Sequence, residues 1–407
     1  MNYDVILVGG GAAGFFTAIN LAEQNKGLKI AIIERGKEVL SKVRISGGGR
    51  CNVTHACFDP KELTQFYPRG AKELLGPFHQ FCSGDTIEWF DRHGVTLKIE
   101  EDGRMFPDTD SSQTIIDCFM KAVQKLKIEV ITSSSVQGIF KKENSWKLDT
   151  TTGNYEATYL IMTTGSNPKM WNTVAELGHK IVEPVPSLFT FNINDKRIKD
   201  LMGVATPAEV SVKGTKLEAS GPLLITHWGM SGPGILRLSA WGARILADKK
   251  YQFHITVNWM PQHSFESLKE ELQRIRKDHA KKNVIKRIEL DLPNRLWERM
   301  VVISGIAEDT KWADVTNKQL DILCGELTQG EYQVNGKSTF KDEFVTAGGV
   351  DLKEVNFKTM ESKLHNNLYF AGEILNIDAI TGGFNFQNAW TNGYLAALAI
   401  TTKIEHK

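Results

Sequence analysis

Residues Tyr3–Glu34 read YDVILVGGGAAGFFTAINLAEQNKGLKIAIIE, and this stretch decides the fold. Tyr3–Val8 is rich in branched apolar side chains, as a buried parallel strand requires. Gly9, Gly11 and Gly14 follow at once in GxGxxG spacing, with Ala12 and Ala13 between them. Phe15–Gln24 reads as a helix and Lys29–Ile33 as a second buried strand ending at Glu34. The first glycine permits the tight turn, the second lets a pyrophosphate approach the backbone, and the third lets helix and strand pack closely. The helix start offers unpaired N–H groups and a positive dipole end to phosphate. Glu34 stands where a carboxylate accepts ribose hydroxyls, so an unphosphorylated ribose is expected, with Arg35 beside it.

Which dinucleotide is bound is read from further along the chain. Val136–Phe140, Trp146–Thr150 and Tyr155–Thr158 alternate apolar and polar residues, separated by polar turns, and predict a three-stranded meander. Tyr159–Thr163 predicts a separate buried strand closed by Thr164-Gly165. Leu368–Phe370 predicts another, ending in Ala371-Gly372-Glu373, and Gly382-Gly383 then open a terminal helix at Phe384-Asn385. A strand ending in Gly-Glu before a glycine-opened helix suits FAD. The acid holds a ribityl hydroxyl, and the helix start favours the charge that develops on the reduced ring. The cofactor shell expected from these motifs also includes Val136 at the head of the meander.

Ser46–Asn52, SGGGRCN, poses a choice. Cys51 and Cys57 are separated by five residues. A thiol pair exchanging electrons with a flavin is normally separated by four, and one extra residue turns a helical side chain by about 100°. A second GxGxxG after a strand is missing; Gly229–Gly234 has the wrong order. The stretch is therefore read as a cofactor-wrapping loop. Gly47, Gly48 and Gly49 bring amides to the cofactor, Ser46, Cys51 and Asn52 line it, and Arg50 meets phosphate or the ring edge. Lys42 precedes the loop and either binds phosphate or lies in water.

The fold class expected is α/β. A Rossmann-like FAD-binding domain, with a parallel sheet plus a three-stranded meander, spans 1–186 and 346–407. It is interrupted by an inserted β-rich substrate domain at 187–262 and 329–345 and by a small helical subdomain at 263–328. A single helix is expected over Ser231–Ala247.

Taken in order, Gly9–Gly14, Ser46–Asn52, Thr226–Pro233 (THWGMSGP), Thr346–Val350 (TAGGV) and Ala371–Glu373 through Gly382–Trp390 (GGFNFQNAW) make the chain resemble the bacterial aminoacetone-oxidase-like FAD flavoproteins of the YhiN/BaiN type. The resemblance runs over nearly the whole length. It implies non-covalent FAD, a glutathione-reductase-like FAD fold and an insertion over the flavin. It also implies activity on amines or on unsaturated, steroid-like enones.

The substrate chemistry expected is hydride transfer between flavin N5 and a small organic molecule, with NAD(P)H visiting transiently or oxygen reoxidising the flavin. In THWGMSGP, Ser231 is the expected N-cap of the helix at Pro233. Either the turn is a packed one, or it faces the flavin and His227 and Ser231 are catalytic, with His227 moving a proton. Two alternatives stand beside this. One is a thiol/disulfide reductase using Cys51 and Cys57. The other is an FAD-dependent RNA-modifying protein, whose docking face would be the charged segment 264–300.

The 407 residues carry 49 basic and 48 acidic side chains, a formal net charge of +1. That balance argues against a general nucleic-acid or membrane-surface binder, and no nucleic acid, membrane or metal is expected. Five cysteines without CxxC spacing suit a reducing, cytoplasmic compartment. Oligomeric state is not legible.

Overall fold

The computed structural model describes residues 1–338 and 345–406. Two compact units emerge: Met1–Val185 with Lys341–Lys407, and Pro186–Phe340. The stretch 339–344, where the insertion was expected to return, lies outside the described residues.

In the first unit, β1 (Asn2–Val8) and β2 (Ile30–Ile33) pair in parallel, with α1 (Ala12–Gln24) as the crossover between them. Val5 to Leu7 and Ile30 to Ile33 are at most 2% exposed. Each such burial contributes about 1.5–3 kcal/mol, which is why the run is continuous rather than alternating. The spatial order places Leu368–Phe370, Gly153–Met162, β1, β2 and Glu129–Ile131 side by side, all in parallel. Val355–Asn356 and Glu361–Ser362 extend the Leu368 edge in antiparallel.

The meander is present as Val136–Lys141, Trp146–Thr150 and the first half of Gly153–Met162. Here the sequence reading needs correction. The third meander strand and the buried strand after it are one element of ten residues. No turn residue separates Thr158 from Tyr159. From Glu156 on the strand keeps β1 along one side, and along the other it exchanges the antiparallel Trp146–Thr150 for the parallel Leu368–Phe370, so its alternation gives way to continuous burial.

The second unit is an antiparallel sheet. Its order is Gly330–Asn335, Gln252–Asn258, Ala205–Val212, Glu218–Ile225, Gly229–Ser231, Thr190–Asn192, Lys337–Ser338. Ala205–Val212 alternates exposed and buried along its length, as a half-solvated strand must. The expected helix over Ser231–Ala247 is two helices, Pro233–Trp241 and Ala243–Asp248, which meet at Gly242. A Cβ on Gly242 would stand 2.8 Å from Leu217 Cδ1, so the glycine lets that side chain pack against the junction. The helices Phe265–Asp278, Asn294–Ile303 and Asn317–Thr328 supply Leu272, Trp297 and Leu323 to this unit's core.

Candidate functional site

The site is built in the first unit, at the carboxyl ends of β1, Gly153–Met162 and Leu368–Phe370. Gly9 turns the chain with φ +114, where an added Cβ would lie 2.4 Å from the Thr163 carbonyl oxygen. Gly14 lets α1 rest on that turn, because its Cβ would lie 2.2 Å from the Gly9 carbonyl oxygen. The Thr163 hydroxyl donates to the same Gly9 oxygen at 2.9 Å. Sequence reasoning missed this tie, although a threonine ending a buried strand signals a side chain turned back on the backbone.

Gly11 behaves differently. A Cβ there meets nothing within 4 Å, and no side chain caps α1. The first amides of the helix are left for an anion. Ala12 and Ala13 form that first turn, and Ala13 packs against Gly372 and Ala389. Glu34 ends β2 as expected. Its two oxygens accept from the amides of Gly10 (2.8 Å) and Gly36 (2.7 Å), and each keeps a lone pair for a ribose hydroxyl. Arg35 is exposed. Ser134 N donates to the Glu34 carbonyl, which brings the buried Val136 to the same side.

The loop SGGGRCN begins on a short helical segment tied to the glycine turn by Leu40 N donating to Gly10 O at 2.9 Å. The helix breaks at Ser46, and Gly47 and Gly48 turn left-handed, at φ 58 and 68. Gly48 and Gly49, like Gly11, face open space. Asn52, with its amide oriented to suit its partners, donates to the carbonyls of Thr54 (3.0 Å) and Met105 (3.2 Å) and accepts from Gly383 N (3.0 Å). A Cβ on Gly383 would meet Thr54 O at 2.5 Å. The two motif blocks, one from each end of the chain, therefore hold one another.

Lys42 and Glu373 form an ion pair at 2.5 Å, with Gly165 alongside and Gly372 in contact with Ala13. The Thr164 hydroxyl is buried without a hydrogen-bond partner among the described residues. The C-terminal helix, Phe384–Glu405, starts at Gly383 with no side-chain cap. The open glycines, the orphaned hydroxyl and two uncapped helix starts together fit a cofactor with a diphosphate and an extended polar chain.

Several expected contacts turn out to be internal. Arg50, expected at phosphate or the ring edge, donates to Glu100 at 2.6 Å and lies over the Phe106 ring at 3.9 Å. Asn385 clasps the backbone of Ala379 through both amide atoms. The buried ring of Phe384 stacks on His55 and Phe66, and its carbonyl accepts from Tyr67 OH. Gly382 shields that ring, since a Cβ would stand 2.5 Å from it. Gln387 accepts from the buried hydroxyls of Thr54 and Thr86, and Trp390 donates to Val53 O.

Cys51 and Cys57 are both buried and unbridged. Burial pushes the Cys51 thiol up to about 12 and, helped by Glu62 and Asp59, the Cys57 thiol up to about 11. Neither supplies the thiolate that disulfide exchange needs.

His227 and Ser231 belong to the second unit. Ser231 was expected as an N-cap, but Gly232 occupies that position and Ser231 ends the strand Gly229–Ser231, its Oγ accepting from Thr190 at 3.0 Å. Gly232, at φ 94, is packed so closely against Pro222 and Leu224 that the chain turns one residue later than the Ser-Gly-Pro pattern suggests. His227 is exposed. Among the described residues there is no cluster of metal-ligating side chains, and no helix is long and apolar enough to cross a membrane.

A dinucleotide cradle at the head of a parallel sheet, closed by a strand and helix from the other end of the chain, defines a Rossmann-type flavoprotein. The protein is an FAD-dependent oxidoreductase. More particularly, the model described as HI0933-like protein Rossmann domain matches residues 3–399, and the chain belongs to that family. It is 29% identical to the ribosomal RNA dihydrouridine synthase of Escherichia coli strain K12, over 97% of each chain. It is 25% identical to the 3-dehydro-bile acid delta(4,6)-reductase of Clostridium scindens, over 97% of this chain and 98% of that one. The fold is shared with the 3-ketosteroid-delta4-(5alpha)-dehydrogenase of Rhodococcus jostii RHA1, at TM-score 0.52 and 12% identity, covering 98% of this chain and 97% of that one.

Proposed function

We propose that the protein uses FAD to reduce a carbon–carbon double bond conjugated to a carbonyl, and that the bond is the C5=C6 bond of a uracil base in RNA. One observation carries this reading. Two of the end-to-end relatives, by their names, act on dissimilar molecules by one chemistry. Making dihydrouridine adds hydrogen across a double bond next to the uracil carbonyl. A delta(4,6)-reductase of a 3-keto compound does the same to a dienone. The RNA substrate takes precedence because the relative named for it is the more similar of the two. The expectation of a small organic substrate is not contradicted and is kept beside it. A dienone-type small molecule is the second reading, supported by the Clostridium relative.

In this reading the amides at Gly11–Ala13 and Gly47–Gly49 hold the diphosphate. Glu34, with Val136 beside it, holds the adenosine end, and Gly165, Gly372 and Glu373 hold the ribityl chain. Bound there, FAD supplies hydride transfer at N5. Lys42 neutralises Glu373 and orients its carboxylate. The Gly382–Asn385 turn presents the uncapped helix start to the ring, its shape fixed by Asn52 and by Asn385's own clasp. Hydride addition to the β carbon needs a proton at the α carbon, which a general acid beside the substrate must supply. NAD(P)H, visiting transiently, is the proposed electron donor, and the cytoplasm the proposed location.

The test is anaerobic incubation of holoprotein with NADH or NADPH and either unmodified ribosomal RNA transcript or a 3-keto-4,6-dienone. Dihydrouridine in the digested RNA, detected by mass spectrometry, supports the proposal. Reduction of the dienone alone selects the second reading, and reduction of neither refutes both.

A further inference from the structure

Within the second unit, the turn Thr226–Gly229 displays an indole to solvent from a rigid backbone. Trp228 is 62% exposed. Its carbonyl accepts from Ile193 N at 2.8 Å, Thr226 N donates to Gly229 O at 2.8 Å, and Trp228 N donates to the Thr226 hydroxyl. Gly229, at φ 146, presses against the Phe191 carbonyl so closely that a Cβ would lie 2.2 Å from it. The fold thus fixes the main chain of this turn and leaves its largest side chain unburied. Isolated exposed apolar residues need no explanation, but a held tryptophan does.

The segment that follows Ile193 gives the second, independent observation. It leaves the turn at Ile193 and returns to the same element at Gly203, whose amide donates to Ile225 O at 2.9 Å. Its two ends are therefore anchored beside the turn. Lys196, Lys199 and Met202 on it are exposed. The helix Asn294–Ile303 braces it: Arg299 donates to the carbonyls of Lys196 (2.6 Å) and Lys199 (2.7 Å), and Arg295 to those of Asp200 and Met202. Four cations thus converge on one stretch of backbone. None of them has a carboxylate at ion-pair distance among the described residues. Asp195 is consumed by Arg197, leaving Asp200 as the segment's exposed acid. Arginines spent on carbonyls keep their full charge, so four positive groups stand beside two exposed acids, Asp200 on the segment and Glu298 on the bracing helix.

We propose that Trp228 and the 196–202 segment form a docking platform for single-stranded RNA. Trp228 stacks on a base, and Lys196 and Lys199 meet the phosphates on either side. An exposed aromatic ring on a held backbone beside exposed cations is the combination that binds single strands without reading sequence. The platform rests on the RNA reading above and deepens it. Unlike the balanced, ion-paired helix Phe265–Asp278, where Arg274 is shared among Glu271, Asp278 and Glu289, it carries unneutralised charge. Of the charged segment 264–300, it takes in Arg295 and Arg299 and leaves out the helix Phe265–Asp278.

The experiment titrates a fluorescent single-stranded ribosomal RNA fragment with FAD-loaded protein across a salt series. Wild type should bind with a steep salt dependence. Trp228→Ala should weaken binding about tenfold with the salt slope retained, and Trp228→Phe should recover most of the loss. Lys196→Gln with Lys199→Gln should lower the slope by about 1.4. Thermal melting reports folding, which an exposed side chain should not disturb. If wild type binds and modifies RNA and these variants bind equally well, the platform is wrong and the RNA reading stands. If wild type neither binds nor modifies RNA, both are overturned. If Trp228→Ala instead converts a self-associated protein to monomer without changing RNA affinity, the indole serves a second copy of the chain and the proposal fails.

Discussion

The two glycine clusters of the first unit look alike in sequence and are built for opposite reasons. In Gly9–Gly14, the outer glycines are pressed against the protein itself. In Ser46–Asn52, Gly48 and Gly49 press against nothing, and their left-handed backbone turns amides toward open space. The first cluster is required by packing, so its loss is felt by the fold. On the proposed reading the open glycines, Gly48 and Gly49 here and Gly11 in the first cluster, serve a ligand, so their loss is felt in binding.

That contrast can be broken by substitution. The largest effect is expected for Gly14→Ala, whose methyl would stand 2.2 Å from the Gly9 carbonyl oxygen. Forcing α1 off β1 should cost about 1–3 kcal/mol or more and yield protein that melts earlier and purifies without FAD. Gly48→Ala meets no neighbour, so its cost is the left-handed backbone alone, about 1–2 kcal/mol, and it should lower the melting of the apoprotein less than Gly14→Ala does. It should weaken FAD binding about tenfold in a flavin-fluorescence titration. If both variants lose stability equally, the distinction between the clusters is wrong. Glu373→Gln leaves Lys42 unpaired near the same space. It should weaken FAD binding less than Gly48→Ala does, since an exposed lysine is readily solvated.

The smallest effects are expected from the thiols beside the second cluster. Cys57→Ser should leave turnover within about a factor of two, because a thiol raised to about 11 has little thiolate to offer at neutral pH. Cys51 adds a pH term. Its thiol titrates near 9 in an unfolded chain and about 12 in the folded one. At neutral pH both states hold the proton and its contribution is intact. As pH rises from about 9 toward 12 only the unfolded state ionises, and stability falls. Cys51→Ala should flatten that alkaline decline in a melting series.

Much of the first unit was legible because its signals are local. A continuous apolar run, three spaced glycines and a terminal acid are required by neighbours in sequence. What stayed hidden depends on partners far along the chain. Asn52 reaches Gly383, Lys42 reaches Glu373, and Arg69 pairs with the fully buried Asp378. Arg50 misled because a cation after three glycines suggests phosphate, whereas the strands Leu97–Ile99 and Arg104–Pro107, which carried no strong alternation, bring Glu100 and Phe106 to it. In the second unit, Ser231 misled because Ser-Gly-Pro reads as a cap, while the strand pairing of Met230 and Ser231 takes that residue first.

The central claim is that electrons held on FAD pass to the double bond of a uracil in RNA. It is tested most directly by reducing the holoprotein without oxygen, removing excess reductant, and mixing it with unmodified ribosomal RNA while following the visible flavin absorption. The account predicts that oxidised flavin returns in step with dihydrouridine, one for one. Flavin that stays reduced in the presence of RNA, while a 3-keto-4,6-dienone reoxidises it, would contradict it.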